Sequence, residues 1–141
     1  MARGAVRGAV NNPPSLFTRP IHLGRGAIAA AQPEFTGMDW YADYSERTAE
    51  DGTEGRLVSM YRFEEDWDNW EVHPSGHEVV LCTEGEITLI QQHPDGRETE
   101  VTLGPGDYAI NDPGVWHTAD IASSATAIFI TAGQGTEHKP R

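Results

Sequence analysis

From Arg56 onward, apolar residues come in short runs broken by glycine and proline, and no three-and-four spacing recurs. Residues 57–63 read as one strand, and residues 78–82 as another after the Pro74-Ser75-Gly76 turn. Residues 87–91 pair through the Pro94-Asp95-Gly96 hairpin with residues 98–103. Shorter runs at 108–110, 117–121 and 126–131 complete the series, spaced by Gly104-Pro105-Gly106-Asp107 and Asp112-Pro113-Gly114. Regular short strands with frequent turns predict an all-β antiparallel sandwich or barrel of the jelly-roll kind.

The first 55 residues follow a different pattern. Residues 1–20 carry Gly4, Gly8, Pro13, Pro14 and Pro20 without apolar periodicity, and read as an arm whose first fifteen residues are a solvated tail. Residues 21–55 read as strands and a loop packing on the barrel, although Ile28-Ala29-Ala30-Ala31 suits a strand or a helical turn equally. Residues 56–132 form the barrel and residues 133–141 a C-terminal tail. A chain of 141 residues fits one domain with a core of its own.

Charge narrows the partners. Lys plus Arg number 10 against 22 Asp plus Glu, a formal net charge of -12. Such a surface repels nucleic acid and anionic lipid. Arg3, Arg7, Arg19 and Arg25 all precede the first acidic residue, Glu34, so a basic arm could lie on its own acidic body or on a partner's. A single cysteine, Cys82, excludes an intrachain disulfide and reads as a small buried apolar residue. No apolar run is long enough for a membrane span, and the first residues lack the apolar core of a secretory signal, so the expected location is cytoplasmic.

Candidate chemistry sits beside two turns, in Trp70-Glu71-Val72-His73-Pro74-Ser75-Gly76-His77-Glu78 and in Asp112-Pro113-Gly114-Val115-Trp116-His117. Residues two apart in a strand share a face, so Glu71 and His73 point one way. Glu78 shares its face with Val80 and Cys82, and His117 shares its own with Ala119 and Ile121. Glu71, His73, Glu78 and His117 therefore converge at the mouth of one barrel as a metal site. Two imidazoles and two carboxylates suit iron, manganese, zinc or nickel, with room left for water or substrate. His22, His77, His93 and His138 read as ordinary surface or hydrogen-bonding histidines. Tyr41, Tyr44, Trp40, Tyr61 and Tyr108 are candidates for a pocket wall or for packing, and Trp70 and Trp116 for packing. Arg62 could meet an anionic substrate or pair with Glu64.

These segments resemble the paired motifs of the cupins, small double-stranded β-helix (jelly-roll) barrels. Glu71-Val72-His73 stands where cupins carry two histidines one residue apart, Glu78 takes the place of the motif's Glu, and Gly85 that of its Gly. Gly106, Pro113-Gly114 and His117 match the second motif. The resemblance covers residues 56–132. Trp116-His117-Thr118-Ala119 and the stretch from Gly133 to His138 are similar to a bacterial subgroup described only as cupin-domain proteins. The departures are Glu71 for the leading histidine and Ile121 four residues beyond His117. The resemblance implies a divalent metal at the barrel mouth and action on a small organic molecule, of dioxygenase or of isomerase or lyase type, with Glu71 or a pocket tyrosine moving protons. The alternatives are a non-catalytic small-ligand-binding cupin and a metal-free one. It also implies a homodimer, formed through sheet edges and terminal arms.

Overall fold

The computed structural model describes residues 12–141, so most of the expected arm, with Arg3 and Arg7, lies outside the described residues. Two antiparallel sheets face each other in a jelly roll. Sheet A comprises β1 (Ile21–Gly24), β2 (Ile28–Ala31), β3 (Arg56–Phe63), β5 (Glu78–Gly85), β8 (Tyr108–Asn111) and β10 (Ala125–Thr131). Its order is β2-β1-β3-β10-β5-β8. Sheet B comprises β4 (Asn69–Val72), β6 (Ile87–Gln92), β7 (Glu98–Leu103), β9 (Trp116–Asp120) and β11 (Glu137–Pro140), in the order β11-β4-β9-β6-β7.

The expected strands appear within a residue or so of their sequence limits, except that the 78–82 run continues to Gly85. Alternation decides what faces in. Glu78, Val80 and Cys82 are all buried, as are His117, Ala119 and Ile121. Ile87 and Leu89 of β6, Leu103 of β7, and Ala125, Ala127 and Phe129 of β10 complete the dry core. The apolar side chains occupy one stretch of the barrel interior. The polar members of the same inward rows, Glu78 and His117, lie at the ends of their strands and so at the mouth.

Two segments differ from the sequence reading. Residues 39–47, expected within a region of strands and loop, form the helix α1 (Asp39–Arg47). Trp40, Tyr44 and Arg47 are four and three residues apart and share a face, Asp39 lies in the first turn and Arg47 in the last. Trp40 stacks on Tyr44 at 5.4 Å, and the Arg47 guanidinium lies over both rings. The Tyr44 hydroxyl meets His22 Nδ1 at 2.6 Å and Asp51 accepts from His22 Nε2 at 2.6 Å, which fastens α1 to β1. The second difference is β11, which stands where the sequence predicts a tail. Its residues pair with β4 in the register Glu137↔Val72, His138↔Glu71, Lys139↔Trp70.

Candidate metal centre

Two cross-strand rows build the site. In sheet B, His138, Glu71, His117 and Gln91 stand opposite one another across β11, β4, β9 and β6. In sheet A, Asn111, Glu78 and Thr131 stand opposite one another across β8, β5 and β10. Cross-strand partners project to the same face, so each row delivers its side chains together. Gln91 joins the rows by donating to Asn111 Oδ1 at 2.7 Å, and Asn111 Nδ2 donates in turn to Glu78 Oε1 at 3.0 Å. Thr131 donates to the other oxygen, Glu78 Oε2, at 2.6 Å. The buried Glu78 carboxylate is thus held from both neighbouring strands.

His73 follows directly on β4, and the turn it opens is tied to the second motif. The Gly114 N–H donates to the His73 carbonyl at 3.2 Å. His73 and His117 are 5.2 Å apart by ring centroid. The Nε2 atoms of His73 and His117 lie 3.1 and 3.2 Å from Glu78, on Oε2 and Oε1 respectively. Each is also 3.7 Å from Glu71 Oε2. Both Nε2 atoms are buried and neither makes a hydrogen bond.

The tautomer of each ring follows from its other nitrogen. Thr136 Oγ1 donates its proton to the Gly133 carbonyl at 2.8 Å, so it can only accept from His73 Nδ1, also at 2.8 Å. His117 Nδ1 faces the Val115 carbonyl at 3.3 Å, which can only accept. Both neutral rings therefore carry the proton on Nδ1 and turn a bare Nε2 lone pair toward the carboxylates. This is the form in which imidazole binds a metal. Glu71, His73 and His117 each offer one ligand atom within 4.8 Å of the others, so the three could hold a metal ion.

Without an ion, the carboxylates instead favour a second proton on each ring. Burial pushes Glu71 up, yet His117 and His73 outweigh it and hold the carboxyl at about 2, against repulsion from Glu78. Glu78 is buried too, and the same histidines keep it well below the usual carboxylate range. Burial would push the imidazoles down, but Glu71 and Glu78 lift His73 and His117 to about 9. A buried carboxylate, Glu78, beside the half-buried Glu71 requires compensating positive charge, from a dication or from two imidazoliums.

The mouth opens into a cavity of about 1410 Å³. Phe35, Met38 and Tyr41 wall it from the N-terminal segment, and Tyr61, Phe63, Trp67 and Phe129 from the barrel. The Tyr41 hydroxyl meets that of Tyr61 at 2.6 Å. Burial and this contact push the Tyr41 phenol far up.

Of the tyrosines singled out in the sequence, Tyr41, Tyr44 and Tyr61 line the cavity. Trp40 is instead the buried residue of α1, and Tyr108 is exposed on β8, at the edge of sheet A. Trp70 and Trp116 pack beneath Lys139, whose ammonium is 6.0 and 4.3 Å from their rings. Arg62 pairs with Glu64 at 3.4 Å and with Glu84 at 3.0 Å. Besides Gln91, Asn111 and Thr131, which hold Glu78, sequence reasoning passes over the site roles of two further residues. His138 Nε2 donates to Glu71 Oε1 at 3.1 Å, and Thr136 fixes His73. Both belong to the C-terminal segment. The alternation of Glu137, His138 and Lys139 is too short to announce a strand on its own.

Comparison with known proteins agrees with the geometry. The Cupin domain family matches residues 61–133, just over half of the chain, and the chain belongs to that family. No curated protein sequence matches it. Among solved structures, an oxalate oxidase is similar at 13% identity with a TM-score of 0.54, over 65% of this chain and 50% of that one. Oxalate decarboxylase from Bacillus subtilis, described with Mn(II) centres, is similar at 14% identity with a TM-score of 0.52, over 68% of this chain and 26% of that one. A hydroquinone 1,2-dioxygenase from Sphingomonas sp. TTNP3 aligns at 17% identity and a TM-score of 0.48, over 54% and 58% of the two chains. The chain thus spans about half of the oxidase and a quarter of the decarboxylase, and these likenesses establish the fold. No described helix is long and apolar enough to cross a membrane.

Proposed function

We propose that this cupin holds one divalent transition metal through Glu71, His73, Glu78 and His117, and acts on a small organic molecule in the adjoining cavity. The observation that carries the reading is the pair of buried Nε2 atoms facing two carboxylates, on rings whose Nδ1 partners leave Nε2 as the metal-binding nitrogen once each ring is neutral. Nitrogen and oxygen donors of this kind accept iron, manganese, zinc or nickel. Such an ion would supply Lewis acidity, or oxygen chemistry if it is iron. Dioxygenase chemistry and isomerase or lyase chemistry both remain within this proposal.

The chain's own residues have definable parts. Thr136 and the Val115 carbonyl keep both imidazoles presented. Asn111 and Thr131 hold Glu78, and His138 holds Glu71. The hydroxyls of Tyr41 and Tyr61 can pass a proton between them across 2.6 Å at the cavity wall.

Metal content after purification without added metal is the test. The wild-type protein should carry close to one ion per chain, and the His73→Ala/His117→Ala double variant should carry none. Full retention by the double variant would end the proposal. A non-catalytic binder is the second reading, favoured by a glutamate in place of the leading histidine. Turnover of any ligand that stabilises the protein rules it out. A homodimer is part of the proposal, supported by the edge strand β8, which exposes Tyr108 and Ile110. A monomeric mass in solution would remove that part.

A further inference from the structure

The cavity beside the metal centre has a chemistry of its own. Its walls form a continuous aromatic path to the histidines. Phe35 meets Tyr41 edge-on at 5.4 Å, and Tyr41 reaches Tyr61 through their hydroxyls. Tyr61 and Phe129 are 6.0 Å apart, as are Phe129 and Trp67, and Trp67 lies 6.3 Å from His117. The aromatic rings present flat faces and edges to whatever enters.

The charge around this path is one-sided. Glu64, Glu65, Asp66 and Asp68 line the cavity in addition to Glu71 and Glu78. Among the described residues, Arg62 is the one guanidinium or ammonium that lines it, and Glu64 and Glu84 already pair with that group. A dication would balance Glu71 and Glu78, and Arg62 pairs with Glu64, which leaves Glu65, Asp66 and Asp68 without a cationic partner among the described residues. The molecule as a whole carries a formal charge of -12, which deepens the negative potential. Among the described residues, an anionic substrate would find no free guanidinium or ammonium beyond the metal, and it would be repelled on its way in. A ring bearing a positive group meets the opposite situation, with aromatic faces and carboxylates that both attract it.

Resting on the metal-site reading for its inner end, we infer that the cavity takes an aromatic molecule without negative charge, of arylalkylamine type. Carboxylates, including small dicarboxylates, are rejected by the acidic stretch from Glu64 to Asp68.

A matched pair of probes tests this. Tyramine and 3-(4-hydroxyphenyl)propionate share the phenol and a two-carbon spacer and differ in the sign of the terminal charge. Binding to the full chain is measured by titration calorimetry, in zinc-loaded protein and again after chelator treatment, with ethylammonium as the ringless control. Tyramine should bind at least ten-fold tighter than the acid, and ethylammonium should bind far more weakly than either ring compound. The preference for tyramine should shrink several-fold in 0.5 M salt and in a Glu64→Gln/Glu65→Gln/Asp68→Asn variant. Equal or tighter binding of the acid overturns the inference. So does the absence of tyramine binding at millimolar concentration, or a preference that the triple variant leaves unchanged. Failure of the protein to take up zinc, with the charge preference intact in metal-free protein, would sink the metal reading and leave this one standing.

Discussion

Thr136 Oγ1 lies 2.8 Å from His73 Nδ1 and gives its own proton to the Gly133 carbonyl, so the hydroxyl can only accept from the imidazole. The contact joins residues 63 positions apart and fixes which nitrogen of His73 faces the barrel. Removing it leaves the buried ring free to flip or to change tautomer. Thr136→Val should therefore lower metal affinity about 10–100-fold with the fold intact, as measured by competition against a chromophoric chelator. Thr136→Ser keeps the hydroxyl and should restore most of the affinity. Wild-type affinity in the valine variant would show that packing alone holds His73.

The histidine and carboxylate partners are legible in the sequence because strand alternation and turn position act locally. The burial of Glu78 with Val80 and Cys82, and of His117 with Ala119 and Ile121, follows from a period of two along one strand. Thr136 and His138 are not legible, because their roles come from β11 lying beside β4. A four-residue strand pairs by register with a distant segment, and composition carries no trace of that. The helix α1 escapes a sequence reading for another reason. Its aromatic face, Trp40 with Tyr44, is visible, but nine residues between turn segments give little more than two turns of periodicity.

The pH dependence of the chelated protein follows from the four central groups. The carboxylates lift His73 and His117 to about 9, above their ordinary 6.5. Their stabilising contribution is complete below about 6.5 and is lost as pH rises through 9. Glu71, held at about 2 against an ordinary 4.5, and Glu78, held lower still, contribute above about 4.5 and lose that contribution as pH falls through their folded values. The melting temperature of chelated protein should therefore be highest between about pH 4.5 and 6.5 and should decline toward pH 9.5. Metal binding requires neutral imidazoles, so its affinity should rise over that same upper range, with close to two protons released per ion at pH 7. Calorimetry in buffers of different ionisation enthalpy measures the release. A release near zero would contradict imidazolium at these positions.

Gly85 gives a separate test of the barrel. Its φ is +72°, and a Cβ there would stand 2.0 Å from the Ser124 carbonyl oxygen. Backbone opposes it rather than a movable side chain, so Gly85→Ala should cost about 3 kcal/mol or more in urea unfolding. Gly96 has a φ of +88°, and a Cβ added there would meet nothing within 4 Å, so Gly96→Ala should cost only about 1 kcal/mol. Similar losses at the two positions would mean that the approach of β5 to Ser124 is looser than the structure has it.

His138 and Glu71 stand opposite each other across β11 and β4, and His138 Nε2 donates to Glu71 Oε1 at 3.1 Å. The other oxygen, Oε2, is 3.7 Å from both inner imidazoles. One carboxylate thus spans the exposed edge of the sheet and the buried centre, and His138 keeps it from swinging toward solvent. His138→Ala should weaken metal binding less than Thr136→Val, because His138 acts on one oxygen that water can also reach. In a Glu71→Ala background the same change should have almost no effect, since the group it positions is gone. A double-mutant cycle on metal affinity measures the coupling. If the two losses simply add, His138 does not act through Glu71, and the carboxylate holds its inward orientation unaided.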